Sequence, residues 1–109
     1  MGRYQNAYRE RNVKALKTVY PGLPRETEQR LSRSFSRDCR AYDFQYLNPL
    51  IAFSPDDPSA ATLSALTTYS CQPPSAQSPI VVSGQEVFMM RKSGEMWLIE
   101  RALMDERAR

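Results

Sequence analysis

The sequence predicts an α+β fold, with three helices in its first 40 residues and four antiparallel strands after them. Apolar residues recur every three or four positions as far as Cys39, and every second position from Ala41. Breaks at Asn12 and at Pro21-Gly22 divide the helical part. The turn-forming runs "SPDDPS" and "RKSGEM" divide the remainder into two hairpins.

The first helix is expected over 3–11, where Tyr4, Ala7, Tyr8 and Arg11 fall on one stripe. Asn12 interrupts it and suits an N-cap, because its side chain accepts from free backbone N–H groups. Val13, Leu16, Val19 and Tyr20 form the stripe of a second helix over 13–20, which Pro21-Gly22 ends. A third helix is expected over 24–39. Pro24 suits its first turn, Glu26 and Glu28 complement the helix dipole, and Leu31, Phe35 and Cys39 form its apolar face.

In the first hairpin Tyr42, Phe44 and Tyr46 alternate with Asp43 and Gln45. Leu63, Ala65, Thr67, Tyr69 and Cys71 alternate on the return. Centring the turn on Asp56-Asp57 sets Tyr42 opposite Cys71, Phe44 opposite Tyr69 and Leu50 opposite Leu63. Pro49 lacks a backbone donor and marks a bulge or an edge. In the second hairpin a two-residue Ser93-Gly94 turn pairs Met90 with Trp97, Phe88 with Ile99 and Glu86 with Arg101. That register joins opposite charges across the strands. "CQPPSAQSP", residues 71–79, reads as a surface connector between the hairpins, not as a domain linker.

The 109 residues read as one domain over 1–109, of the kind that can be cut from a longer protein. No apolar run is long enough for a membrane span, and Met1 leads almost directly into a charged helix, so no signal peptide is expected. A cytoplasmic location is favoured. Residues 1–40 carry ten Arg/Lys against four Asp/Glu, and residues 41–109 carry five against eight. The basic part could meet nucleic acid or an acidic partner. Its charges are interspersed as on a solvated helix, and no Gly-rich or aromatic RNA-binding signature accompanies them, so nucleic acid is not the expected partner. Cys71 faces Tyr42, three residues from Cys39. At about 3.3 Å per extended residue this exceeds the roughly 7 Å limit on bridged Cα atoms, so two free thiols are expected.

The element order resembles the nuclear transport factor 2-like superfamily, which includes ketosteroid isomerases, SnoaL-type cyclases and kinase association domains. "YQNAYRERNVKALKTVY" is similar to that family's first helix, polar break and second helix, and "GEMWLIE" to its closing strand. The resemblance implies a cystatin-like cone, in which a curved four-stranded sheet wraps the helices and a pocket opens between them. It also sets Tyr4 at the position of the isomerases' oxyanion-binding tyrosine. The bland alternative, a core aromatic one turn from Tyr8, is the commoner outcome. The isomerases carry their general base on a short strand after the second helix. Here "PGLPRETEQ" runs straight into the third helix, and Asp43 is expected to face outward.

Other chemistry is sparse. The chain has no His, two isolated Cys, no Gly-rich phosphate loop and no cofactor motif. Tyr4, Tyr8, Phe44, Tyr69, Phe88, Met90 and Trp97 are the candidates for an apolar ligand pocket, although such residues more often fill a core. Two functions remain. One is a non-catalytic accessory module for oligomerisation or small-ligand sensing, attached to a signalling protein such as a kinase. The other is a small apolar-pocket enzyme of the isomerase or cyclase type, which a buried Asp or Glu would favour. The second hairpin is apolar on both faces, with Phe88, Met90, Trp97 and Ile99 on one and Val87, Met89, Met96 and Leu98 on the other. Three helices cover one face. A homodimer through the convex face, with Leu98 and Met89 in the contact, is therefore expected, and many members of the resembling family pair this way.

Overall fold

A computed structural model describes residues 1–75 and 78–106, with the side chains of 105 and 106 excepted. Helices α1 (Gly2–Arg9), α2 (Val13–Val19) and α3 (Arg25–Arg33) come first, and α3 runs on into a π-turn over Ser34–Asp38. Strands β1 (Ala41–Phe53), β2 (Ala60–Gln72), β3 (Ile80–Ser93) and β4 (Met96–Glu106) form one antiparallel sheet in the order β1-β2-β3-β4. This is the expected α+β architecture. Residues 76 and 77 of the connector lie outside the described part.

The break after α1 is built by two neighbours. Arg11 takes a left-handed φ of 53°, its N–H donates to Tyr8 O, and Asn12 N–H donates to Ala7 O. This is a Schellman-type end with Arg in the position Gly usually holds. Arg11 therefore ends α1 instead of extending its apolar stripe as expected. Asn12 then caps α2, its Oδ1 accepting from Ala15 N–H at 3.0 Å. Tyr4, Ala7 and Tyr8 of α1 and Leu16 and Val19 of α2 are buried, joined by Leu31 and Phe35. They pack on Phe44, Leu63, Ala65, Phe88 and Ile99 from the concave side of the sheet. Beyond α2 the Tyr20 hydroxyl accepts from Ala102 N–H, which ties the helical layer to β4. Gly22 passes close to the same strand, where a Cβ would stand 3.3 Å from Glu100 O.

The first hairpin keeps the expected register from Tyr42↔Cys71 to Leu47↔Leu66. Asn48, at φ 53°, and Pro49 then face the single residue Ala65, and this bulge moves Leu63 from Leu50 to Ile51. Pro49 lies on the edge strand β1, where no ladder donor is needed.

The second hairpin departs from its expected pairing. Gly94, at φ +63°, is the first central residue of a Gly94-Glu95 turn, and Ser93 pairs with Met96. A two-residue turn with Gly first needs positive φ at that one position, whereas Ser93-Gly94 would have required it at Ser93. Glu100 is an extra residue on β4, because Met90 faces Ile99 while Met89 faces Arg101. Phe88 consequently faces Ala102, Trp97 faces Lys92, and Glu86 faces Met104 instead of Arg101.

Cys39 and Cys71 are bridged, with Cα atoms 5.4 Å apart. The expectation of two free thiols is overturned. It assumed an extended path from Cys39 to Tyr42, but the chain bends at Arg40, whose N–H donates to Gln72 O. No helix in the described residues is long and apolar enough to cross a membrane.

Candidate functional site

The polar feature of the cone is a carboxyl inside its core. Glu86 is 5% exposed on the concave face of β3. Its Oε1 accepts from Thr67 Oγ1 and from the Tyr69 hydroxyl, both on β2 and both at 2.7 Å. The Tyr4 hydroxyl of α1 stands 2.9 Å from that of Tyr69. Tyr69 has one proton and gives it to Glu86, so Tyr4 must donate to Tyr69. The order Tyr4, Tyr69, Glu86 is thereby fixed. The Tyr8 hydroxyl, 3.5 Å from Tyr4, is at the limit of bonding.

Burial sets the electrostatics. Loss of hydration raises the Glu86 carboxyl above its ordinary range, against the lowering effect of its Tyr69 and Thr67 hydrogen bonds. Tyr4, Tyr8 and Tyr69 are all held far above the ordinary phenol range, again chiefly by burial. These tyrosines are hydrogen-bond donors and not bases. No buried side-chain N or O atom among the described residues lacks a partner. Asp43 is half exposed on the outer face and bonds Arg9 at 2.5 Å. No strand lies between α2 and α3. No group of three or more Cys, Asp or Glu among the described residues is arranged to hold a metal ion.

The seven pocket candidates divide into two sets. Tyr4, Tyr8, Phe44, Tyr69 and Phe88 pack ring against ring in the core, with centroids 4.8–5.9 Å apart. Met90 and Trp97 stand at the rim near the start of α1, where Trp97 meets Phe53 edge-on. Two clefts open there. One of about 370 Å³ is lined by Tyr4, Val19, Met90, Met96, Trp97 and Ile99 with Met1, Gly2, Arg3 and Glu95. The other, about 180 Å³, lies between Ile51, Phe53, Leu63, Met90 and Trp97. Tyr4 thus belongs to both the rim and the hydroxyl network.

Sequence reasoning missed Glu86 and Thr67. Parity carried the signal, since 86, 88 and 90 share a face and Phe88 and Met90 point inward. The shifted register hid it by giving Glu86 a cation, Arg101, that in fact faces Met89 on the convex side.

That convex side is the other unfilled feature. Leu47 faces Leu66, Val87 faces Leu103, and Leu50 and Met89 flank them. Leu47, Leu66, Met89 and Leu103 are 58%, 41%, 40% and 47% exposed.

No family model matches the sequence, and no curated protein matches it. Solved structures do. A candidate scytalone dehydratase from Novosphingobium aromaticivorans superposes with a TM-score of 0.81 at 12% identity, over 96% of this chain and 77% of that one. A nuclear transport factor 2-like superfamily protein from Salmonella enterica gives 0.75 at 15% identity, over 99% of this chain and 86% of that one. A candidate calcium/calmodulin-dependent protein kinase II association domain from Xanthomonas campestris gives 0.69 at 14% identity, over 89% and 75%. At such identities likeness speaks for architecture and not for activity. With three helices in the hollow of a four-stranded antiparallel sheet, the chain has the nuclear transport factor 2-like fold.

Proposed function

We propose that the chain is a non-catalytic accessory module that pairs with a second copy through the convex face of its sheet. The carrying observation is the apolar patch of Leu47, Leu50, Leu66, Val87, Met89 and Leu103, spread over all four strands. A patch of this kind marks an interaction surface, and two-fold pairing is its commonest closure. Leu98, half-buried beside Pro21 and Gly22, lies at the margin of this contact. The kinase association domain among the neighbours supports the reading by analogy of fold. Such a module serves a larger signalling protein such as a kinase. The rim clefts around Trp97 suit a small apolar ligand, held by Met90, Trp97 and the ring of Tyr4. The Cys39–Cys71 bridge favours an oxidising compartment over the cytoplasm expected from the sequence. Light scattering at micromolar concentration tests the pairing. A dimer is expected, and a monomer would overturn the reading.

A second reading, a small pocket enzyme of the isomerase or cyclase kind, has one observation in its favour: the buried Glu86 joined through Tyr69 to Tyr4. The absence of a strand between α2 and α3, where the isomerases carry their base, weighs against it. A steady-state assay on a standard steroid isomerase substrate separates the two. No turnover is expected, and turnover that vanished in Tyr4→Phe would establish the enzyme.

A further inference from the structure

The geometry points to a second docking surface, on the outer ridge of α3 and the π-turn, for an acidic polypeptide segment. Arg30, Arg33 and Arg37 are exposed at positions i, i+3 and i+7, and Arg40 follows just past the turn. At about 100° per helical residue Arg30 and Arg33 lie within roughly 60° of one another on α3. Arg33 is on the side away from Leu31, the Arg30 charge also reaches Tyr8 and Tyr42, and Arg37 is exposed on the π-turn that follows. Leu31 and Phe35 are buried against the cone. The ridge therefore faces solvent as a consequence of how the core is packed.

These four guanidinium groups have no ion-pair partner among the described residues. Nearby carboxylates are engaged elsewhere or stand apart. Glu28 pairs with Lys17 and Asp43 with Arg9, while Glu26 and Asp38, at the two ends of the ridge, bond none of the four. Unpaired like charges on one ridge raise the local potential for an anionic partner.

The C-terminal end of the ridge is tied to the rest of the fold. The Arg11 guanidinium donates to Phe35 O and Cys39 O, and the Cys39–Cys71 bridge fastens the same end to β2. Arg30 and Arg33 are about 4.5 Å apart along the axis of α3, a spacing that carboxylates at i and i+3 of an acidic helix share, and Arg37 follows on the π-turn. Guanidinium forks bind carboxylates in bidentate fashion. Nucleic acid fits less well, because single strands are held by exposed rings that stack on bases. The rings beneath this ridge, Phe35, Tyr8 and Tyr42, stack on one another instead.

The test is fluorescence anisotropy of the full chain with a labelled Glu-rich helical peptide at low salt. Micromolar binding is expected, weakening about tenfold or more in Arg33→Glu/Arg37→Glu and strongly with added salt. Arg33→Gln/Arg37→Gln should weaken it by a smaller factor, with an unchanged circular dichroism spectrum. Lys14→Glu/Lys92→Glu makes the same change in net charge away from the ridge and should leave binding within about twofold. Equal loss in the two Glu variants, absence of binding by the native chain, or tighter binding of a DNA duplex at the same salt would overturn the proposal.

Discussion

Phe88 and Met89 share a peptide bond, yet Phe88 is wholly buried and Met89 is 40% exposed. They stand for the two faces of one sheet. Over its middle the concave face meets α1, α2 and α3 and is closed by aromatic rings, with Glu86 satisfied by two hydroxyls, while Ile51 and Phe53 at its rim stay exposed. The convex face alternates with it residue by residue, and its apolar patch of Leu47, Leu66, Met89 and Leu103 is exposed in the monomer. The difference separates two kinds of work. Residues on the concave side hold the fold together, and residues on the convex side are available to hold two folds together.

The sharpest way to break this comparison is to truncate the two neighbours in turn. Phe88→Ala opens a void in a closed core and should cost about 3–5 kcal/mol in denaturant unfolding. Met89→Ala should change monomer stability by no more than about 0.5 kcal/mol. Its cost, on the order of 1 kcal/mol, belongs in dimer dissociation. Similar losses from the two in monomer stability would erase the distinction between the faces.

Next in size is the bridge on the helical side. Cys39 and Cys71 are 32 residues apart, a loop whose closure is worth about 3.5 kcal/mol on chain entropy. Thermal unfolding of Cys39→Ser/Cys71→Ser should show a midpoint lower by on the order of 15 °C. A thiol titration of the denatured native chain without reductant should find no free thiol. An unchanged midpoint would show that the end of α3 needs no such anchor.

Much of the concave architecture was legible because its signals are local. Asn12 caps α2 by its own side chain, and the stripe of Tyr4, Ala7 and Tyr8 follows from helical spacing alone. The first hairpin was legible up to Asn48, where a bulge adds one residue that composition does not announce. The second hairpin hinged on which central position Gly94 takes, and the extra Glu100 on β4 compounded the slip. That slip concealed the candidate site, because Glu86 acquired a surface partner on paper and a buried one in the fold. The bridge was illegible for a related reason: spacing measured along an extended chain cannot show a bend such as the one at Arg40.

Smaller effects sharpen the account. Asn12→Ala removes the cap bond to Ala15 and should cost about 1 kcal/mol. Glu86 gives a pH signature of the concave face. Its folded pKa is raised, so the stabilisation it allows is fully present below its unfolded pKa of about 4.3 and is lost as pH rises through the folded value. Urea unfolding of the native chain from pH 4 to 8 should show that decline. Glu86→Gln should remove it while keeping stability near neutral pH within about 1 kcal/mol. A decline that persisted in the variant would assign it to another group.

The central claim is that the convex face joins two copies and contributes little to the fold of either one. Sedimentation equilibrium of the native chain and of Leu66→Arg, run beside their thermal melts, tests it most directly. Leu66 is exposed at the middle of the patch and pairs with Leu47, so a charge there meets solvent in the monomer and an apolar partner in the dimer. The native 12.5 kDa chain should sediment at twice its mass, and Leu66→Arg at the monomer mass with a melting curve that still shows a cooperative fold. A native monomer, a variant that remains dimeric, or a variant that unfolds instead of dissociating would contradict the account.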